Sequence, residues 1–436
     1  MSTLGAVTGT WPVRGEGAPP WAEQARRNLD AAMAGLLAGN DTAEESSVKN
    51  AIIRLEVPES GFVYEKGVGR ANADSAAPMT PDHQYHLASV TKTMTAVLVL
   101  QLWEEGALGA KGLETPLAEF DLFDDEIIAR LHVMDGLSYG RKITVRQLLT
   151  HTSGIKDAAI DDATGTAADF GGPAPGSYVA RLRADLEAHL ACLNDPDCDP
   201  TPLMTCKNWM MWDPRCPDDR EAGVINWFLA SGTAASPLSR PGEAFHYSDT
   251  GYVILGLLAE QLSGLDLHAQ WRRRIFDPLG MAKSYLAYAT DPDPGPWVHA
   301  VSDYYLGDVP GVTSRLNLSF DRGGGGVVST VRDMNRFLRA LVNGELFRHG
   351  ETLVRMTQWR MVPGIKPPRA GVGLGIFAED TGQGTIAVGH SGAYGAKMYY
   401  EPETGIFFNG TVNQRQGVPY YWWTAMLKAV QEARQL

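Results

Sequence analysis

The sequence predicts an α+β fold, an antiparallel sheet assembled from strands near both ends of the chain and flanked by helices, with a mostly helical subdomain inserted between them. Three observations predict it. Strand-like runs lie at residues 50–70 and again after residue 370. Helical patches alternate with loops between about residues 110 and 320. With 436 residues and 44% hydrophobic content, the chain can bury a full core.

The elements follow in chain order. Residues 1–25, rich in Gly, Pro and small polar residues, read as a tail, and Trp21 to Leu37 carries Ala, Leu and Met on one helical side. Asn50–Val57 and Gly61–Arg70 read as two strands of a hairpin, joined by the turn residues Pro58-Glu-Ser-Gly61. Thr91 to Glu105 is helical and nearly all apolar, a pattern that predicts burial on most sides, with Gly106 as its stop. Ser329-Thr-Val-Arg-Asp333 reads as a capped helix start leading to Met334, Phe337, Leu338 and Leu341, with Gly344 as the end. Strands are then expected at Gly371–Phe377, Thr385–His390, Ala396–Tyr400 and Ile406–Val412, followed by a closing helix from Tyr420 to Arg434. The expected organisation is a sheet domain from 26–110 and 320–436, and a helical insertion over 111–319. A cysteine-containing excursion occupies about 155–240.

Composition excludes several function classes. The chain carries 38 Lys and Arg against 51 Asp and Glu, a formal charge of -13, which opposes a surface built for nucleic acid or anionic lipid. Apolar runs such as Thr95–Trp103 reach about half of the roughly 20 residues that a membrane span requires. The first residues show neither a basic n-region nor an apolar h-region, which favours a cytoplasmic location. Cys192, Cys198, Cys206 and Cys216 fall in one short acidic stretch without zinc-ligand spacing. Two local disulfides, and with them a secreted or periplasmic form, stand against four free thiols.

Three separated stretches carry chemistry. In His86-Leu-Ala-Ser-Val-Thr-Lys92, Ser89 precedes Lys92 by three residues, which puts both on one helix face. A serine hydroxyl needs a neighbouring base, and burial of Lys92 should disfavour its charged form and prepare it as that base. Ser89 also sits at a helix start, where backbone N–H groups can stabilise an oxyanion. Tyr247-Ser-Asp249 lies in the loop before the apolar helix of Gly251–Leu262, where a phenol can relay a proton. His390-Ser-Gly-Ala393 closes a strand, and the small residues Gly392 and Ala393 let backbone N–H groups approach a substrate carbonyl.

These three stretches, in this order, resemble the serine β-lactamase and DD-peptidase superfamily, in particular its class C β-lactamase-like branch with family VIII carboxylesterases, D-aminopeptidases and nylon-oligomer hydrolases. Ile143–Gly154 and Gly323–Asp333 resemble that branch too. The resemblance implies a β-lactamase/transpeptidase-like fold and Ser89 as the acylated nucleophile. It implies Lys92 and Tyr247 as the proton-handling pair, and the amides of Ser89 and Ala393 as oxyanion donors. His390 then occupies the place where many β-lactamases carry a lysine, and Asp249 that of their asparagine. A neutral imidazole attracts a substrate carboxylate less, so penicillin hydrolysis is disfavoured. Asp249 has two readings: an N-cap for the helix beginning near Thr250, which is favoured, or a countercharge for Lys92 or a cationic substrate.

The expected activity is hydrolysis of a small ester through an acyl-enzyme on Ser89. The alternatives are a D-stereospecific amidohydrolase or DD-peptidase-like enzyme, an acyltransferase, and a non-catalytic penicillin-binding sensor. No metal or organic cofactor is implied, since side chains and backbone donors supply the chemistry. His151 and His86 read as structural. The Gly323–Gly326 run, without P-loop spacing, reads as close backbone packing. The acidic cluster Asp121–Glu126 reads as a solvated loop or helix start, and Trp209, Trp212 and Trp227 as a lid or as packing of the insertion.

Overall fold

The computed structural model describes residues 18–38, 48–166, 173–193, 224–287, 300–314, 316, 318–414 and 418–435. Ten strands position the site: β1 (Asn50–Val57), β2 (Phe62–Gly69), β3 (Tyr85–His86), β4 (Tyr285–Leu286), β5 (Val327–Ser329), β6 (Arg369–Val372), β7 (Phe377–Asp380), β8 (Ile386–Ser391), β9 (Lys397–Glu401) and β10 (Ile406–Thr411). Seven of them form one sheet in the order β6-β7-β8-β9-β10-β1-β2, antiparallel throughout. The two ends of the chain meet where Ile52 pairs with Thr411. The architecture expected from the sequence is therefore present.

Strand alternation divides the core in two. Ile53, Leu55, Tyr399 and Phe408 face α1 (Ala22–Ala38) and the C-terminal helix Thr424–Gln435, burying Leu29, Met33, Trp423 and Met426. Ile52, Met398, Tyr400 and Phe407 face the other way, into a larger core shared with α2 (Thr91–Glu104), α3 (Asp249–Ser263) and α4 (Val331–Val342). Helix α2 is buried from Thr91 through Leu100, as its apolar pattern predicts, and Gly106 takes the left-handed φ of 78° that stops it.

Some boundaries follow the sequence expectation and others differ. Helix α1, Ala22–Ala38, matches the helix read over Trp21–Leu37 to within a residue, and so takes in the last residues of the span read as a tail. The single strand expected over Gly371–Phe377 is two strands, β6 and β7, folded back on each other. The turn passes through Gly375 at φ 73°, where an added Cβ would lie 2.3 Å from the Ala96 Cβ. The start of α4 is as expected, with the Thr330 hydroxyl as the cap accepting from the Asp333 N–H. The span 111–319 also contributes β4, which pairs with β5 beside β3. Cys192 is disulfide-bonded, a state that persists in oxidising surroundings. Cys198, Cys206, Cys216, Trp209 and Trp212 lie outside the described residues. Trp227 is buried edge-on against Tyr178 at 5.7 Å. Among the described residues, no helix is long and apolar enough to cross a membrane.

Candidate active site

The nucleophile turn is shaped by what presses on it. Ser89 lies in the 3-10 turn Ala88–Val90 that leads into α2, and Ala88 before it holds a left-handed φ of 45°, a strain of the kind that concentrates at functional sites. The end of β8 crosses close above. A Cβ on Gly392 would stand 2.3 Å from the Leu87 carbonyl oxygen and 3.2 Å from the Ala88 Cβ, so only glycine permits the approach. On the other side, a Cβ on Gly325 would meet Asp321 at 2.0 Å and the Ala88 carbonyl carbon at 3.4 Å. The Gly323–Gly326 run thus serves close packing, as its composition suggested.

These approaches bring the three sequence-predicted stretches together. Lys92, fully buried, donates to the Ser89 Oγ at 3.0 Å and to the Gly324 carbonyl at 2.6 Å, and is ion-paired with Asp249. Its three ammonium hydrogens are therefore all used. The Tyr247 ring centre is 5.0 Å from the Lys92 nitrogen. The Tyr247 hydroxyl is buried without a well-aligned hydrogen bond, yet near enough to Ser89 and Lys92 for both to act on its acidity. Burial, helped by Asp249, outweighs the pull of Lys92 and keeps the phenol protonated. Among the described residues, neither the Ser89 N–H nor the Ala393 N–H has a partner, and Ser89, Gly392 and Ala393 line the same cleft of about 340 Å³.

Two expectations are overturned here. Burial does push Lys92 toward the neutral amine, but Asp249 above all, with Tyr247 and Asp321, outweighs it and holds Lys92 well above its ordinary value. And Asp249 is not the helix cap: Ser248 is, its hydroxyl accepting from the Gly251 N–H at 3.3 Å, while Asp249 turns to Lys92. Asp249 is itself held from behind, its N–H donating to Asp157 at 3.1 Å. Burial first, then Asp249 and Asp161, raise Asp157 well above the usual carboxylate range. Burial and Asp249 do the same to Asp321.

His390 is 2% exposed and lines the cleft. Its Nδ1 donates to the Ser391 carbonyl at 2.8 Å, which leaves the Nε2 lone pair unpartnered. Burial and the Lys92 charge depress it well below 6.5, so the ring is a neutral acceptor, in keeping with its reading as a weak anchor for anions. His86 is buried edge-on against Tyr304 at 4.9 Å, and burial lowers it to about 4. The acidic stretch becomes the start of helix Asp125–Arg130.

His151 is buried and structural, as the sequence suggests, and it packs against Tyr247. Its ring stacks on Tyr247 at 4.3 Å, its Nδ1 accepts from the Ser248 N–H at 3.1 Å, and its carbonyl accepts from the His246 N–H at 2.8 Å. It is a positioning residue for the Tyr247 loop. The signal available was its place between Thr150 and Thr152 in a stretch read as structural. His151→Phe, which keeps the stacked ring and removes the acceptor, is expected to lower kcat about tenfold with KM little changed. Steady-state kinetics check this; a change confined to thermal stability would count against it.

The family profile described as Beta-lactamase matches residues 58–431. Penicillin-binding protein 4* of Bacillus subtilis (strain 168) is 23% identical over 220 residues, 50% of this chain and 34% of that protein. The chain spans about a third to just over half of the lengths of the curated relatives it matches. A D-stereospecific amidohydrolase from Streptomyces sp. superposes with a TM-score of 0.62 at 23% identity, over 93% of this chain and 98% of that one. EstCE1, a hydrolase with promiscuous acyltransferase activity, superposes with a TM-score of 0.63 at 18% identity, over 94% and 99%. With the profile spanning most of its length, the chain belongs to the beta-lactamase family.

Proposed function

We propose that this protein is a serine hydrolase that cleaves a small ester or amide through an acyl-enzyme on Ser89. The observation that carries the reading is the contact of Lys92 with both Ser89 and Asp249. Loss of one proton from Lys92 to solvent frees an amine lone pair facing the serine hydroxyl. Ser89 then attacks the carbonyl as its proton moves to Lys92, and the oxyanion is received by the Ser89 and Ala393 N–H groups. Tyr247 gives its proton to the leaving group and regains one from Lys92, so the proton count closes. Water repeats the sequence to release the acid.

An ester is the preferred substrate, because an alcohol or phenol leaves with less need of protonation than an amine. A D-stereospecific amide is the second reading, supported by the fold shared with the Streptomyces amidohydrolase. Acyl transfer to an alcohol or amine uses the same residues, and added nucleophiles would reveal it in the products. Intact-mass measurement after mixing with p-nitrophenyl esters, D-amino-acid amides and penicillin tests the reading. The expected result is one acyl adduct, mapped to the Ser89 peptide and transient with the preferred substrate. Turnover with no adduct on that peptide under rapid quenching would overturn it, and a permanent adduct without turnover would indicate a binding module instead.

A further inference from the structure

A second cavity, of about 160 Å³, lies beside the helix Val145–Leu149 and shares no lining residue with the catalytic cleft. Three hydrogen-bond donors line it from two distant parts of the chain. Arg146 is tied to Glu114 through its Nε alone, so its two terminal nitrogens are unspent among the described residues. Gln147 accepts from the Thr144 N–H at 3.0 Å in a capping box, which fixes its amide. Its NH₂ group is thereby left toward Gly242, where an added Cβ would stand 3.2 Å from it. Arg360 is paired through its backbone with Val372 of β6, at 3.0 and 3.1 Å, while its exposed guanidinium has no partner among the described residues.

The hydroxyls of the same wall are accounted for. Thr150 donates to the Arg146 carbonyl at 2.9 Å, so Thr152 gives its own hydrogen to Thr150 at 2.8 Å and keeps its oxygen as an acceptor. Two guanidinium groups thus stand against the single carboxylate of Glu114, a local excess of positive charge in a chain of formal charge -13. This wall is also the back of the segment that holds the Tyr247 loop. Thr150 and Thr152 flank His151, and the Thr152 carbonyl accepts from the Gly242 N–H at 2.7 Å, shortly before Tyr247. His151 has a left-handed φ of 55°, a conformation that a residue with a side chain keeps only while its surroundings hold it there.

We propose that this cavity is a binding site for a phosphate group, free or carried by a small molecule, and that its occupation steadies the His151 segment and with it the Tyr247 loop. Guanidinium groups pair with phosphate oxygens through two N–H bonds at once. The Gln147 amide adds a neutral donor, and the P–OH of a hydrogen phosphate meets the Thr152 oxygen. A cavity of this size holds such an ion with a short organic remainder.

Calorimetry with inorganic phosphate tests the site, with sodium chloride at equal ionic strength as the control. The unmodified protein should bind phosphate saturably at one site with a Kd of about 1 mM or tighter, and Arg360→Gln and Arg146→Gln should each weaken it at least about tenfold. Glycerol 3-phosphate is titrated beside it: tighter binding assigns the site to a phosphate monoester, weaker binding to the free ion. The comparison of phosphate with chloride needs no variant to fold. In the kinetic arm, phosphate should raise kcat for a neutral p-nitrophenyl ester about twofold or more, with the half-saturation seen in binding and KM little changed. Arg360→Gln should lose that response and keep the parental rate without phosphate. Absence of saturable binding, or binding indifferent to both substitutions, would overturn the site. So would competition of phosphate with the ester, read as a raised KM that Arg360→Gln leaves in place, since that puts the ion in the catalytic cleft. Saturable binding with an unmoved kcat would strike out the link to Tyr247. Calorimetry does not depend on the hydrolase reading: if turnover proves independent of Ser89, that reading fails while the binding still decides the site.

Discussion

Ser89→Ala should lose hydrolysis of a p-nitrophenyl ester by on the order of 10⁴-fold or more, the scale seen when a catalytic nucleophile is deleted. The variant should lose the acyl adduct with it. The fold should survive, because Ser89 is partly exposed at the cleft and its hydroxyl is one of three acceptors around the Lys92 ammonium. Removing it leaves one ammonium hydrogen to be satisfied by a water in the cleft. Thermal unfolding within a few degrees of the parent, together with near-complete loss of rate, is the expected pair of results. A variant with half the parental rate would remove Ser89 from the chemistry, and the two oxyanion donors with it.

The parts of this site legible in the sequence are those that depend on local pattern. Ser89 and Lys92 share a face because Lys92 follows Ser89 by three positions where the turn runs into the helix, and the apolar run after Thr91 announces that the helix is buried. The strands near both ends were readable from their alternation. What the sequence did not show depends on residues far apart in the chain. The charge state of Lys92 is decided by Asp249 and Asp321, 157 and 229 positions onward, which meet it only because a glycine run lets the backbone of 323–326 lie against α3. Burial was read correctly and its consequence was not, since a buried lysine is neutral only where nothing opposes its charge. The surroundings of Lys397, which also lines the cleft, are of the same kind. A lone lysine beside Met398-Tyr-Tyr400 in a strand is a visible anomaly, but Glu379, Ser391 and Tyr420 join it only through the pairing of β7, β8 and β9.

Asp249→Asn should move the rate–pH profile toward acid and destabilise the protein near neutrality. In the parent, the carboxylates around Lys92 overcome its burial and hold its pKa above the unfolded value. That interaction stabilises the fold at all pH values below the unfolded lysine pKa, and is lost only as pH rises through the folded one. An asparagine does not balance the charge. Burial then dominates, Lys92 falls toward or below its unfolded value, and the amine form becomes available at lower pH. The rising limb of kcat/KM should shift down by about one pH unit or more. Leaving a buried ammonium unpaired costs about 3–5 kcal/mol, toward the lower end here because Asp321 remains nearby. The sign of the pH response separates this from ordinary damage. In the variant the unfolded chain binds the lysine proton more readily than the folded one, so stability should recover as pH rises from 7 to 9. Urea midpoints at the two pH values measure it, and an equal loss at both, with an unmoved rate profile, would mean that Asp249 does not govern the charge of Lys92.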